Sequence, residues 1–326
     1  MLTKTFFVMM ISFILSLVIG SLLIPVLRSN ASQRLSIYLS DAHKGKKNTP
    51  TMGGLIFVLS STLTFVLLLL FKKIEMSNGL LIIIFTFLSY ALIGFIDDYL
   101  IIKRNNNNGL KEYQKLLLQL LVSVIFFLIF MLDNEPLLWI HTFHLKLNIG
   151  WFYGLFILLV LVSSSNAVNL TDGLDGLATG LSIIALITFG ILSYNTGWLN
   201  GYEDIGLFAF ILVGSLLGFL FFNSYPAKIF MGDTGSLSLG AILGTYAILT
   251  RHELLLIIIG IVFVIETLTC VIQRTYYKFT KKRIFPMTPI HHTFEKMGFK
   301  ETDIVKMFWV LGLIGSMIAL GFGVWL

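Results

Sequence analysis

The sequence contains little charge and almost no cysteine. Asp, Glu, Lys and Arg together make up 12% of its 326 residues, about half the share found in an average soluble domain. Because Cys270 is the only cysteine, an internal disulfide and a cysteine-based metal site are both excluded. This composition leaves no room for a large water-soluble domain.

Long apolar runs dominate instead, since 56% of the residues are hydrophobic. Ten segments approach the roughly 20 residues that cross a ~30 Å hydrocarbon core; they cover approximately residues 5–27, 52–71, 80–102, 114–132, 150–168, 176–194, 205–224, 236–250, 254–275 and 304–326. Residues 116–130 and 254–264 are almost continuously apolar, unlike the alternating strands of a membrane β-barrel, so strands are set aside. The sequence predicts an all-α, polytopic membrane protein of about ten transmembrane helices in one domain, residues 1–326.

The distribution of basic residues predicts the orientation of these helices. Of the 23 Lys and Arg residues, 18 lie in one set of alternate loops and 5 in the other. Cytoplasmic loops collect basic residues, so we expect the richer set in the cytoplasm and both termini outside. The net charge of +6 is then explained without a nucleic-acid partner. The eighth segment, 236–250, is short and contains Ser, Gly and Thr, but omitting it would place most basic residues outside.

Two adjacent carboxylates, Asp97 and Asp98, follow the apolar residues 88–96. Burying charge in a membrane helix costs about 2.5–3.5 kcal/mol on insertion scales, and adjacent carboxylates also repel each other. A divalent cation or a lysine would relieve that repulsion, and a raised pKa would suit a general base. The alternative is a pair of acidic residues in the headgroup layer without a function.

A second polar group lies within residues 166–177, where Asn169, Asp172 and Asp175 alternate with glycines. Carboxylates three residues apart share one side of a helical turn. A helix N-cap would explain one of these residues, but their number favours a polar ligand site.

Three further groups lie in loops assigned to the cytoplasm. Asp233 is flanked by glycines in residues 230–235, which suits phosphate binding by exposed amides or a simple glycine turn. His291 and His292 lie in the longest of these loops and suit metal or phosphate binding. Lys46 and its basic neighbours suit an anionic substrate.

Glu266, by contrast, lies inside the ninth apolar segment. An intramembrane carboxylate is a functional candidate by default, and Arg274, two turns on, is its expected partner. A structural acid is the alternative.

Carboxylates without cysteines favour a hard ion such as Mg²⁺ over zinc. Phosphoryl transfer requires mainly in-line positioning and charge neutralisation, which Mg²⁺ and lysines supply. A membrane setting implies one lipid-soluble reactant and one that arrives from the cytoplasm.

With these motifs the chain resembles the MraY family of phospho-N-acetylmuramoyl-pentapeptide transferases, within the polyprenyl-phosphate N-acetylhexosamine-1-phosphate transferases. The resemblance spans nearly the whole chain and is most specific in residues 49–54, 97–99, 166–177, 230–236 and 289–295. It implies Mg²⁺-dependent transfer of phospho-MurNAc-pentapeptide from UDP-MurNAc-pentapeptide to undecaprenyl phosphate, giving lipid I and UMP at the cytoplasmic face of the bacterial inner membrane.

The resemblance also implies roles for individual residues. Asp97, Asp98, Asp233 and His291 would form the catalytic set, with Asp97 deprotonating the lipid phosphate and Asp233 binding Mg²⁺. Substrate binding would fall to Asn169, Asp172, Gly173, Leu174 and Asp175 at the nucleotide, to Phe230 beside the uracil, and to Lys46, His291 and His292 at the phosphates or the sugar. The ninth segment is expected to break and form a groove for the prenyl chain.

Two residues depart from the family pattern: Asn48 replaces a glycine, and Thr293 replaces the third histidine of a triplet. Two other functions stay open, namely a sister transferase with another UDP-HexNAc donor and a secondary transporter, in which ionisable groups would lie at mid-bilayer. A homodimer is also left open.

Overall fold

The structure is a computed structural model, and it describes residues 2–30, 49–104, 109–140, 145–196, 199 and 201–324. About 78% of these described residues are helical. Lys46 and Asn48, both singled out in the sequence, lie outside the described residues.

All ten apolar segments fall on helices of the described chain. The helices are α1 (Leu2–Asn30), α2 (Gly54–Leu70), α3 (Asn78–Arg104), α4 (Glu112–Asp133), α5 (Phe152–Thr171), α6 (Leu177–Tyr194), α7 (Tyr202–Asn223), α8 (Gly232–Leu249), α9 (Leu255–Ile259), α10 (Ile261–Thr280), α11 (Ile290–Lys296) and α12 (Glu301–Val324). Among the described residues, seven of these helices are long and apolar enough to cross a membrane: α1, α3, α4, α5, α6, α7 and α12. The protein is therefore a multi-pass membrane protein.

A short β-hairpin departs from the all-α prediction. Strands β1 (Leu137–Ile140) and β2 (Leu145–Asn148) pair antiparallel between α4 and α5. Setting strands aside was wrong for this connection, because a search for membrane-spanning runs does not detect strands of four residues. The guanidinium of Arg251, which follows α8, donates to the carbonyl oxygens of Glu135 (2.7 Å) and Leu137 (2.6 Å) and so anchors the hairpin.

The eighth apolar segment forms α8, which lies inside the bundle and packs against α3 and α5. Every residue from Thr234 to Leu249 is buried. A Cβ at Gly240 would collide with the backbone of Ser164 in α5. The small residues that make this segment look weak as a membrane span are thus those that let the neighbouring helices approach it closely.

The ninth segment is interrupted at Gly260, where α9 ends and α10 begins. This is the break that the family resemblance implies. An open, mainly apolar cavity of about 370 Å³ lies between α5 and the α9–α10 segment, and it is lined by residues such as Phe156, Val160, Ile257 and Phe263.

Candidate active site

The predicted acidic residues meet at one end of the helix bundle, which we call the site end. Asp97 and Asp98 lie near the end of α3, Asp172 directly follows α5, and Asp233 lies in the first turn of α8. Because α8 runs antiparallel to α3 and α5, the ends of α3 and α5 coincide with its start. Chain segments more than 130 residues apart therefore share one site.

The glycine-containing residues 49–54 hold the start of α8 in place. Two backbone hydrogen bonds of 2.8 Å join this segment to the loop before α8, from the Gly53 amide to the Phe230 carbonyl and from the Gly54 amide to the Met231 carbonyl. A Cβ on Gly54 would collide with the backbone of Gly235. The side chain of Phe230 remains partly exposed.

Lys115, in the first turns of α4, joins two of the predicted aspartates. Its Nζ lies 2.8 Å from Oδ2 of Asp97 and 2.7 Å from Oδ2 of Asp233. The side chain of Asp97 is 4% exposed and that of Asp233 is 22% exposed, so the single ammonium offsets part of the charge of two carboxylates that are largely withdrawn from water. The sequence leaves open a divalent cation or a lysine beside Asp97 and Asp98, and it does not single out Lys115 among the basic loop residues.

Asp97 and Asp98 have different partners although they are adjacent. Oδ1 of Asp97 accepts a hydrogen bond of 2.5 Å from the Leu110 amide, and its Oδ2 faces Lys115. Both oxygens of Asp98 face the first turn of α8: they accept hydrogen bonds from the amides of Asp233 (3.0 Å) and Thr234 (2.9 Å) and from the Thr234 hydroxyl (2.6 Å). A carboxylate at a helix N-terminus is stabilised by the otherwise unpaired amides and by the helix dipole.

Asn169 fixes the second oxygen of Asp233. Its Nδ2 donates to Oδ1 of Asp233 and to the Ser236 hydroxyl, both at 2.8 Å. The Asp233 carboxylate thereby has an ammonium on one oxygen and an amide on the other, which fixes its orientation toward the site.

The turn after α5 adds a further carboxyl group to the site end. The pKa of Asp172 rises to about 8, first because the surrounding protein removes water from the carboxyl group and then because the charges of Asp233, Asp98 and Asp175 oppose its ionisation. Burial and the neighbouring carboxylates therefore both favour the protonated form of Asp172.

Asp175 and Leu174 serve this turn in another way. Leu174 is buried, and the Asp175 amide donates to Oε1 of Glu301 at 2.8 Å. Oδ2 of Asp175 accepts from the amide of Ala227 at 3.0 Å. Asp175 thus ties the turn to α12 and to the segment that leads to Phe230.

His291 reaches the same turn from α11. A Cβ on Gly173 would collide with its imidazole ring, so the ring packs against the Gly173 backbone. Its Nδ1 lies 3.0 Å from Oε1 of Glu266, and both side chains are fully buried. The expected Glu266–Arg274 pair is wrong: Arg274 is exposed two turns further along α10, while Glu266 points toward α11.

The residues that follow His291 turn to other partners. His292 lies beside it with 4.2 Å between ring centroids, and its Nδ1 is 2.6 Å from Oε2 of Glu295. Thr293 is buried, and its hydroxyl donates to the Met287 carbonyl at 2.5 Å. Thr293, which replaces the third histidine of the triplet, therefore holds the loop before α11 in place.

The donor set at the site end suits Mg²⁺, which prefers oxygen ligands and often needs only one or two carboxylates because it keeps several waters. Asp233 and Asp97 supply such oxygens around a position that is already occupied by a cation, the Lys115 ammonium. Among the described residues, no group of three or more His, Cys, Asp or Glu side chains is arranged to hold a metal by itself. Asp97 and Asp233 are thus the residues of this cluster that could hold a hydrated hard ion.

Comparisons with known proteins identify the family of the chain. The family model "Glycosyl transferase family 4" matches residues 80–251, and the model "Phospho-N-acetylmuramoyl-pentapeptide-transferase signature 1" matches residues 46–58. The chain is 46% identical to the phospho-N-acetylmuramoyl-pentapeptide-transferase of Staphylococcus saprophyticus over 95% of this chain and 98% of the relative. The chain belongs to the phospho-N-acetylmuramoyl-pentapeptide transferase family.

Two further relatives carry the same name: proteins of Staphylococcus aureus (strain bovine RF122 / ET3-1) and Staphylococcus epidermidis are 45% and 43% identical, again over 95% of this chain and 98% of each relative. The signature of this transferase family includes residues 49–54, which support the start of α8. The broader match contains Asp97, Lys115 and Asp233 but not the histidines of α11.

Proposed function

We propose that the protein transfers phospho-MurNAc-pentapeptide from UDP-MurNAc-pentapeptide to undecaprenyl phosphate, with lipid I and UMP as products. Membership of the transferase family supports this reaction. The observation that carries it is the Asp97–Lys115–Asp233 cluster at one end of a bundle of apolar helices. A lipid phosphate and a soluble pyrophosphate can meet there without either reactant crossing the membrane.

In this reaction an oxygen of the lipid phosphate attacks the sugar-linked phosphorus of the donor. A new P–O bond forms, the P–O bond to UMP breaks, and UMP leaves with the electron pair. Asp97 accepts the proton of the lipid phosphate, and Lys115 keeps its carboxylate oriented while offsetting charge on the reacting phosphates. Asp98 acts at a distance from the reactants, because both its oxygens hold the start of α8.

Asp233 would hold Mg²⁺, with Asn169 fixing the second oxygen of its carboxylate. When bound, the ion neutralises charge on the pyrophosphate. The Lys115 ammonium, 2.7 Å from Asp233, would then share that carboxylate with the ion.

The remaining predicted residues would bind the donor. We assign Asp172, Gly173, Leu174 and Asp175 to the nucleotide, Phe230 to the uracil, and Lys46, His291 and His292 to the phosphates or the sugar. The Gly173 backbone packs against the His291 ring, which supports one continuous surface for the donor. His291 Nε2 is buried beside Gly173 and has no hydrogen-bond partner among the described residues.

The cavity between α5 and the α9–α10 segment would hold the prenyl chain. Its lining runs from Leu254, at the end opposite the site, to Val168, near the end of α5. We further propose ten membrane crossings in the bacterial inner membrane, with both termini outside and the site end in the cytoplasm; the excess of basic residues in the corresponding loops supports this orientation. The homodimer stays a prediction.

Release of radiolabelled UMP tests the function. We expect release from UDP-MurNAc-pentapeptide only when undecaprenyl phosphate and Mg²⁺ are both present, and little release from UDP-N-acetylglucosamine. Turnover of that second donor alone would instead indicate a sister transferase. Gradient-driven uptake into proteoliposomes without UMP release would indicate a transporter.

A further inference from the structure

A second cavity lies between the C-terminal half of α10 and the segment that leads into α11. Its volume is about 440 Å³, and three basic residues, Arg274, Arg283 and Lys296, contribute to its lining. None of its described lining residues is acidic. Within the described chain, none of the three cations forms an ion pair with a carboxylate.

Side-chain hydrogen bonds hold the walls of this cavity. Oε1 of Gln273 accepts from the amides of Ile284 (3.0 Å) and Phe285 (2.9 Å), which ties the loop to α10. The Thr293–Met287 hydrogen bond ties the same loop to α11. The cavity is thus bounded on both sides by fixed backbone.

Two of the three cations, Arg283 and Lys296, are also close to each other. Arg283 and Lys296 donate to the same oxygen, the Pro286 carbonyl, at 3.4 and 3.3 Å. Each of these side chains has further donors. Basic residues that only favour a cytoplasmic location need not converge, and like charges held together repel, so an anion in the cavity would relieve the repulsion.

The distance to the candidate site indicates which anion. Glu266, which contacts His291, lies eight residues before Arg274 on α10, and eight residues of helix rise about 12 Å. An extended chain of five residues spans at most about 17 Å. A pentapeptide attached to a sugar near His291 is therefore long enough for its free end to extend to this cavity.

We propose that the cavity binds the C-terminal carboxylate of the donor's pentapeptide, with Arg274 as its main partner. This inference rests on the proposed function. An Arg guanidinium and a carboxylate match in geometry and form charge-assisted hydrogen bonds. The hydroxyls of Tyr277 and Thr288, which also line the cavity, supply further donors.

The test compares two donors, UDP-MurNAc-pentapeptide and the same molecule with a C-terminal carboxamide, on the full-length protein in vesicles. We expect the carboxamide to have a KM about tenfold higher with the unaltered protein. Arg274→Gln should raise the KM of the carboxylate donor about tenfold and bring the ratio of the two KM values close to one, whereas Arg274→Lys should restore part of the ratio. Lys278→Gln is the matched control, because Lys278 is exposed one turn further along α10 and does not line the cavity.

Equal KM values for the two donors with the unaltered protein would overturn the inference while leaving the proposed function intact. The inference is also overturned if Arg274→Gln raises the KM of both donors by the same factor, and does so only in vesicles that contain phosphatidylglycerol. The cavity would then bind a lipid headgroup. If neither donor is turned over by the unaltered protein, the proposed function fails, and the inference fails with it.

Discussion

Asp97 and Asp98 show how two adjacent residues of one type acquire different tasks. Asp97 faces an ammonium and a single amide, whereas Asp98 is occupied by the first turn of α8. The sequence predicts that this pair is important but not how its tasks are divided. That division depends on α4 and α8, whose approach to α3 is set by tertiary packing.

Asp97→Asn tests the proposed proton acceptor. An amide cannot take the proton, so we expect turnover to fall by roughly 10²–10⁴-fold, while the amide oxygen can still accept from the Leu110 amide and the fold is retained. UMP release and thermal unfolding in detergent measure the two effects. Full activity would remove Asp97 from the catalytic set.

Asp233→Asn should likewise abolish turnover without unfolding the protein. The loss has a different cause, since the variant removes the charge that faces Lys115 and that would attract Mg²⁺. Activity of Asp233→Asn is measured at increasing Mg²⁺ concentrations, and we expect no recovery at high Mg²⁺. Thr293→Ala is the comparison variant, and its effect should be milder because Thr293 contacts the loop before α11. Recovery of Asp233→Asn to full activity would contradict the assignment.

Lys115→Gln removes the cation that Asp97 and Asp233 share. Two carboxylates are then left partly buried without compensation, and we expect turnover to fall more than tenfold. Lys111→Gln is the matched control, because Lys111 precedes α4 and its Nζ lies 5.9 Å from the centre of the Tyr113 ring rather than at the carboxylates. Equal activity of the two variants would show that the ammonium is dispensable.

At the scale of elements, the apolar composition of the sequence predicts the helices. It does not predict the hairpin or the position of α8 inside the bundle. Hydropathy locates a run of residues but does not tell which runs face lipid and which lie inside. The small residues of α8 distinguish it from a helix that faces lipid. Their role in close packing can be recognised only once the positions of α3 and α5 are known.

Asp98→Asn should destabilise α8 rather than the chemistry alone. An amide NH₂ cannot accept the hydrogen bonds that Oδ2 of Asp98 receives from Thr234, so a buried donor loses its partner at a cost of about 1–3 kcal/mol. We expect a lower unfolding midpoint than for Asp97→Asn, measured in the same detergent. Identical midpoints would show that the contact contributes little to stability.

Gly94→Ala tests the approach of α3 to α8. A Cβ at Gly94 would collide with the Asp233 carbonyl, so we expect strong destabilisation, by several kcal/mol, and loss of activity. Gly321→Ala in α12 is the control, since no heavy atom outside the local backbone of α12 lies within 4 Å of its added Cβ. Its midpoint should stay within about 1 kcal/mol of the unaltered protein. Similar behaviour of both variants would contradict the close packing.

At the scale of the whole molecule, the segments that carry the site could be predicted from the sequence, but their contacts could not. Residues 49–54, 166–177 and 230–235 were recognisable as motifs, and the structure brings them to one end of the bundle. The Glu266–His291 contact was missed because the spacing of residues along a helix predicts contacts only within that helix. Lys115 was missed because the sequence does not show which side chains a basic residue near a loop contacts.

Cysteine labelling tests the proposed orientation. In a Cys270→Ser background, Met297→Cys lies just after α11 and Trp151→Cys just before α5, and both native side chains are exposed. We expect a membrane-impermeant maleimide to label position 151 on intact cells and position 297 only after permeabilisation. The reverse pattern would invert the orientation and place the site end outside.

The contact of Gly94 in α3 with the backbone of α8 fixes the distance between these two helices. At Gly94 the two backbones lie so close that even a methyl group does not fit, and a backbone has no rotamers with which to adjust. The spacing of the two helices that carry Asp97 and Asp233 therefore does not depend on which side chains cover the lipid-facing surface. Substitutions confined to that surface should therefore leave the distance between the two carboxylates unchanged.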